Sequence, residues 1–138
     1  LMPSSLLNDG FVKALNRRLD SVERRTGIDV ILEVEACPFL TPSVELELYR
    51  IAQEALNNIL LHAEADHIVV SLKRDVGTMV LKIEDNGKGF STEAVALRGG
   101  LGIKNMRERA ERLNSRLDVH SNPGQGTRVQ ISVEVPDA

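Results

Sequence analysis

Thr78-Met79-Val80-Leu81-Lys82-Ile83-Glu84-Asp85-Asn86-Gly87-Lys88-Gly89-Phe90 reads as an apolar strand that ends on a carboxylate and breaks at once into a turn with two glycines. The run before it, His67–Arg74, is also strand-like, and only Asp75-Val76-Gly77 separates the two. The pair therefore makes an antiparallel hairpin. Asn86-Gly87 could be no more than a further hairpin turn, but Gly89 and Phe90 lead into an irregular stretch and not into a strand. A carboxylate at such a strand end can accept a hydrogen bond from an exocyclic amine such as that of adenine. The glycines then let the backbone approach the base closely.

Working outward, Phe11, Leu15, Leu19 and Val22 follow Asp9-Gly10 at spacings of four, four and three, an amphipathic helix that Gly27 stops. Ile28 to Glu35 alternates as a half-buried strand. After a loop with Pro38 and Pro42, Thr41-Pro42 supplies an N-cap and first helical position for a long helix reaching about His62 or Ala63. Leu48, Ile51, Ala55 and Ile59 form its core stripe. Downstream, residues 86–102 are glycine-rich loop with a short helical turn, and Ile103 to Leu113 is helical with Met106, Ala110 and Leu113 on one face. Arg116–Ser121 and Thr127–Val135 close the chain as a hairpin across Asn122-Pro123-Gly124-Gln125-Gly126. This order predicts a two-layer α/β sandwich, its sheet mixed and largely antiparallel with helices on one face, as a single domain over residues 1–138.

Composition narrows the function classes. The 138 residues are 42% hydrophobic and 27% charged with a net charge of −3, which fits a soluble globular domain. No basic run offers a phosphate-tracking surface, and 3% aromatic residues without tryptophan argue against base stacking, so nucleic acid is not expected as a partner. Cys37 is the only cysteine, so no intrachain disulfide or cysteine metal site can form, and a reducing, cytoplasmic setting follows. No apolar stretch approaches the roughly 20 residues of a membrane span, and direct membrane contact is not expected. The opening Leu1-Met2-Pro3 suggests a fragment of a longer parent, which could itself be membrane-anchored.

Two more segments carry chemistry. In Gln53-Glu54-Ala55-Leu56-Asn57-Asn58-Ile59-Leu60-Leu61-His62-Ala63, the residues Glu54, Asn58 and His62 recur every four positions and stack on one helix face. On most amphipathic helices such a face is merely solvated. A carboxylate, an amide oxygen and an imidazole together can also hold a hydrated magnesium ion. Gly99-Gly100-Leu101-Gly102-Ile103 opens the third helix, and its free N–H groups beside the positive helix end make a natural phosphate site. Neither a Walker loop nor a dinucleotide fingerprint is present, so the signal lies in the ordered combination.

That combination resembles the GHKL ATPase superfamily, whose members include DNA gyrase, heat-shock protein 90, histidine kinases and mismatch-repair ATPases. Gln53–Ala63 looks like its N-box, Asp85–Phe90 like its G1 box, Gly99–Ile103 like its G2 box, and Gly124–Thr127 like its G-x-G-T element. The form of the N-box and the run Gly102–Ala110 are similar to sensor kinases of the nitrate/nitrite-sensor class. The resemblance implies the Bergerat ATP-binding fold, with ATP and Mg2+ as cofactors. It implies that Asn58 binds the magnesium, with Glu54 near the ion or its water, and that His62 belongs to the ATP site. Asp85 would bond the adenine amine, supported through water by Thr127, and Gly87 and Gly89 would shape the base pocket. Gly100, Leu101, Gly102 and Ile103 would contact phosphates through their backbone, under a short lid at 90–99. Leu61 departs from the Lys or Arg common there, so a phosphate-neutralising cation is missing or comes from Lys88, Lys104 or Arg107.

His62, His67 and His120 are the only histidines, and none sits on an exposed helix followed by an acidic residue and arginines, as the phosphoacceptor does in this class. The acceptor is expected upstream, in a dimerisation domain of the parent kinase to which residues 1–10 would be the linker. A cognate response regulator would be reached through that domain, and the isolated piece should be monomeric. Two other readings stay open: a GHKL hydrolase in which Glu54 activates water, and a degenerate module that has lost nucleotide.

Overall fold

A computed structural model describes residues 4–35, 40–91, 93–95, 100 and 102–135. Its elements are α1 (Ser4–Thr26), β1 (Asp29–Val34), α2 (Pro42–Asn58), a π-helical turn (Ile59–Ala63), β2 (His67–Asp75), β3 (Thr78–Asp85), α3 (Ile103–Arg112), β4 (Leu117–Ser121) and β5 (Thr127–Glu134). The five strands form one sheet in the order β1-β2-β3-β5-β4. Only β1 and β2 run parallel, which the α2 crossover requires, while the other three pairings are antiparallel. The expected mixed, largely antiparallel α/β sandwich is the architecture found.

Strand periodicity sets the two layers. The register lines up Leu32, Val70, Ile83, Val129 and Val119 across the sheet, and one step further Val34, Leu72, Leu81, Ile131 and Leu117. Side chains two apart share a face, so these rows build one apolar surface, on which Val70, Leu72, Leu81, Ile83 and Ile131 are all buried. α1 packs on β1 and α2, α2 on β3 and α3, and α3 on β4. The predicted stripe Leu48, Ile51, Ala55 and Ile59 is buried in α2, as are Met106 and Ala110 in α3, whereas Leu113 is only partly covered. The opposite face of the sheet carries charge, with Lys73 against Glu33 and Lys82 against Glu84, each at 3.2 Å.

Two features depart from the expected helices. α1 starts at Ser4, before Gly10, and Gly10 breaks it with a non-helical backbone (φ 80°, ψ 176°). The reason is a cap delivered from another element: the Phe11 N–H, which starts the second helical segment, donates to Glu45 Oε2 of α2 at 2.9 Å. α2 ends in a π-helical turn, a wide i→i+5 turn that often marks functional sites. Glu64 closes it in the left-handed conformation (φ 52°). A further tie, Arg18 Nη2 donating to Asn57 Oδ1 at 3.1 Å, fixes the end of α2 to α1. Glu47 of α2 accepts from Arg109 at 2.9 Å and Arg112 at 3.2 Å, so a largely covered carboxylate holds α3 beside α2.

Candidate functional site

The same periodicity that builds the core also builds the site. Met79, Leu81 and Ile83 face the helices, so Asp85, two residues on, must face the same way. Its register partners are Ile68 on β2 and Thr127 on β5, and Thr127 pairs in turn with Ser121 on β4. One row across the end of the sheet therefore places Asp85, Thr127 and Ser121 on the inner side, where the preceding rows carry only aliphatic groups. Burial raises the Asp85 carboxyl above the ordinary 3.8, opposed by backbone N–H bonds from Gly87 and Thr127.

The loop after Asp85 is fixed on both sides. Asn86 Oδ1 accepts from the N–H groups of Asp66 (2.8 Å) and His67 (2.9 Å), so this side chain anchors the turn to β2 and does not face a ligand. The Gly87 N–H donates to Asp85 Oδ1 at 2.7 Å, and the Lys88 N–H donates to the Ala63 carbonyl at 2.7 Å. That second bond brings the loop onto the π-helical turn so closely that a Cβ at Gly87 would collide with the Ala63 backbone. On the far side, the Gly124 N–H donates to the Lys88 carbonyl at 2.5 Å and the Phe90 N–H to Ser121 Oγ at 2.9 Å.

These elements enclose a cavity of ≈ 460 Å³. Ile83, Val119, Val129, Met106 and Ile59 form its apolar walls, the register partners Asp85 and Thr127 its polar end, and Asn58, His62, Gly100 and Ile103 also line it. An apolar slot with one half-buried carboxylate suits a flat heteroaromatic ring bearing an amine. α3 starts there on Gly102, which has a left-handed backbone (φ 63°) and gives no side-chain cap to the helix. The first N–H groups of α3 are thus left for an anion.

The structure brings Asn58, His62, Asp85, Gly89, Gly100, Ile103 and Thr127 together around this cavity. Gly87 does not line the cavity, though its N–H bonds Asp85, which does. Glu54 is not among the lining residues. It packs against Gly102, in the space that a side chain there would fill, at the junction of α2 and α3. Leu101 and lid residues 92 and 96–99 lie outside the described residues. Of the three candidate substitute cations, Lys88 lines the cavity, Lys104 is exposed at the α3 start, and Arg107 donates to the Leu117 carbonyl at 3.0 Å. Leu61 itself is 75% exposed and is not among the residues that line the cavity.

Sequence reasoning did not single out Ser121, nor the Ile83, Val119, Val129 and Met106 walls. For Ser121, Ile83, Val119 and Val129 the signal is parity with Asp85, readable once strand register is known, whereas Met106 lies on α3 and comes to the cavity with that helix. Among the described residues no group of three His, Cys, Asp or Glu could hold a metal ion. The donor set is a sparse one of oxygens beside a helix start. It fits an ion that arrives with phosphates and keeps several waters, as magnesium does.

Residues 43–137 match the family of histidine kinase-, DNA gyrase B- and HSP90-like ATPases. The chain belongs to this family. The ATPase domain is 39% identical over 122 residues to sensor histidine kinase YhcY of Bacillus subtilis (strain 168), covering 88% of the chain and 32% of that protein. It is 32% identical over 135 residues to sensor histidine kinase LiaS of the same strain, covering 98% of the chain and 37% of that protein. The ATPase domain thus spans about a third of the length of these curated relatives. Two solved structures share its fold. The histidine kinase domain of the Erythrobacter litoralis EL346 blue-light activated histidine kinase superposes with a TM-score of 0.74 at 22% identity, over 87% of this chain and 58% of that one. Acinetobacter baumannii histidine kinase AdeS gives 0.73 at 16% identity, over 92% and 64%. Family membership makes ATP the expected occupant of the cavity. No helix among the described residues is long and apolar enough to cross a membrane.

Proposed function

We propose that this domain binds Mg-ATP and donates the γ-phosphate to a histidine on a dimerisation domain outside this chain, in two-component signalling. The observation that carries the reading is a half-buried carboxylate, Asp85, in the lining of a largely apolar slot that also takes in Gly100 and Ile103 at the uncapped start of α3. In this reading Asp85 accepts from the adenine amine, while the Ile83, Val119, Val129 and Met106 walls exclude water from the base. The α3 N–H groups and Gly100 hold phosphate oxygens. Asn58 would hold the magnesium, with Glu54 or its water nearby, and the ion would neutralise charge on the phosphates. The protein's own work is positioning, so that an incoming imidazole meets the γ-phosphate in line.

The names of the relatives favour the kinase reading over the hydrolase in which Glu54 activates water. The nitrate/nitrite-sensor-like subclass rests on the motif residues alone. None of the three histidines suits the acceptor role: His62 lines the cavity, His67 Nδ1 sits 3.2 Å from Asp29 at the start of β2, and His120 lies in β4. Residues 1–10 are proposed as linker from the upstream domain, the cytoplasm as the location, and a response regulator as the downstream partner. Incubation with labelled ATP tests this. The chain alone should give no acid-labile phosphohistidine, whereas mixing it with the dimerisation domain of its parent should label that domain. Stoichiometric phosphohistidine on the chain alone would sink the proposal, and steady ADP release without acceptor would favour the hydrolase.

A further inference from the structure

Ser121 is nearly buried (6% exposed) and does not line the main cavity, yet its hydroxyl makes three contacts. It receives the Phe90 N–H at 2.9 Å, lies 3.1 Å from the Gly126 carbonyl oxygen, and lies 2.8 Å from Thr127 Oγ1. A serine hydroxyl has one proton and two lone pairs. The Gly126 carbonyl can only accept, so it takes the Ser121 proton. The Phe90 amide can only donate, so it uses one lone pair. The remaining lone pair must then receive the proton of Thr127. Only this assignment satisfies all three contacts, and it leaves the Thr127 hydroxyl with lone pairs alone to offer the cavity.

The polar end of the cavity then has a definite sign. The ionised Asp85 carboxylate accepts only, and Thr127, beside it in the register and also lining the cavity, accepts only. Two convergent acceptors match a group with two N–H bonds, and they repel a carbonyl oxygen at the same place.

We infer that Ser121 is a positioning residue that sets base specificity: by taking the Thr127 proton it keeps that hydroxyl an acceptor, so the cavity selects 6-amino over 6-oxo purine nucleotides. The inference rests on the reading of the cavity as a nucleotide site and goes beyond it by assigning part of the selectivity to a side chain that need not touch the base.

The experiment is calorimetric titration of the 138-residue chain with the non-hydrolysable imido analogues of ATP and of ITP, for wild type, Ser121→Ala and Thr127→Val. In Ser121→Ala the Thr127 hydroxyl is free to turn and donate to an oxo group. The ratio of adenosine to inosine affinity should fall roughly 5- to 10-fold, the size of one hydrogen bond gained or lost. Thr127→Val keeps the Phe90 and Gly126 contacts of Ser121 but removes the acceptor, and should lower the ratio similarly. The double variant should lower it no further than either single one. An equal loss for both nucleotides in Ser121→Ala, with the ratio intact, would overturn the proposal and leave Ser121 a structural residue. If Ser121→Ala fails to fold by circular dichroism, an unchanged ratio in Thr127→Val overturns it instead. Absence of binding by wild type to either nucleotide would be a failure of the nucleotide reading itself.

Discussion

Gly87→Ala isolates the contact that assembles the site. A Cβ built at Gly87 stands 2.8 Å from both the carbonyl carbon and the Cβ of Ala63, with the carbonyl oxygen closer still, where ordinary contacts are 3.4–4 Å. The obstacle is backbone, so the loop must retreat by about 1 Å, a distance that bond lengths and packing cannot absorb in place. That movement breaks the 2.7 Å bond from the Lys88 N–H to Ala63 and disturbs the 2.7 Å bond from the Gly87 N–H to Asp85. One lost hydrogen bond contributes about 1 kcal/mol and the strained repacking about 2 more, roughly 3 kcal/mol together. In a chain of 138 residues this lowers Tm by about 10 °C. Gly77→Ala is the control for backbone strain without a clash. Unlike Gly87 it has a positive φ (68°), and nothing lies within 4 Å of its Cβ, so only the backbone penalty of about 1 kcal/mol applies. Thermal melts followed by circular dichroism give both values, and nucleotide titration of Gly87→Ala should show at least about a tenfold affinity loss as Asp85 moves. A Gly87→Ala protein that melts no lower than Gly77→Ala and binds as wild type would refute the close-approach reasoning.

Acidity offers another handle. The raised Asp85 carboxyl holds a proton in the folded chain that the unfolded chain releases, so its contribution to stability falls as pH rises from its ordinary 3.8 through the raised value. Melts of wild type and Asp85→Asn across that window should show the variant gaining on wild type as pH rises, and a constant gap would contradict the assignment. Met106 is 1% exposed and walls the cavity, so Met106→Ala should cost about 2–4 kcal/mol in denaturant unfolding. A loss below about 1 kcal/mol would mean that the wall collapses inward to fill the gap.

The sheet and its helices were legible because their signals are local. Alternation in Thr78–Asp85 and the Thr41-Pro42 cap act over a few residues, and both elements appear where they were expected. The inward direction of Asp85 was implicit in the same alternation. Ser121 was not legible, since its nearness to Phe90 and Thr127 depends on β4–β5 register and on a loop 31 residues away. The π-helical turn also escaped, because an i→i+5 turn carries the apolar pattern of an ordinary helix. The break at Gly10 is held by Glu45, distant in sequence, so a local reading placed the helix start there instead of a kink. The regular spacing of Glu54, Asn58 and His62 suggested one functional face, yet α3 packs its Gly102 against Glu54, and only Asn58 and His62 line the cavity.

The most direct test of the account is calorimetric titration of the chain with a non-hydrolysable ATP analogue and magnesium, beside Asp85→Asn. Binding by wild type that is lost in Asp85→Asn, with the variant still folded, is the predicted result. Equal binding by both proteins would contradict the adenine role of Asp85, and no binding by wild type at millimolar nucleotide would contradict the nucleotide site itself.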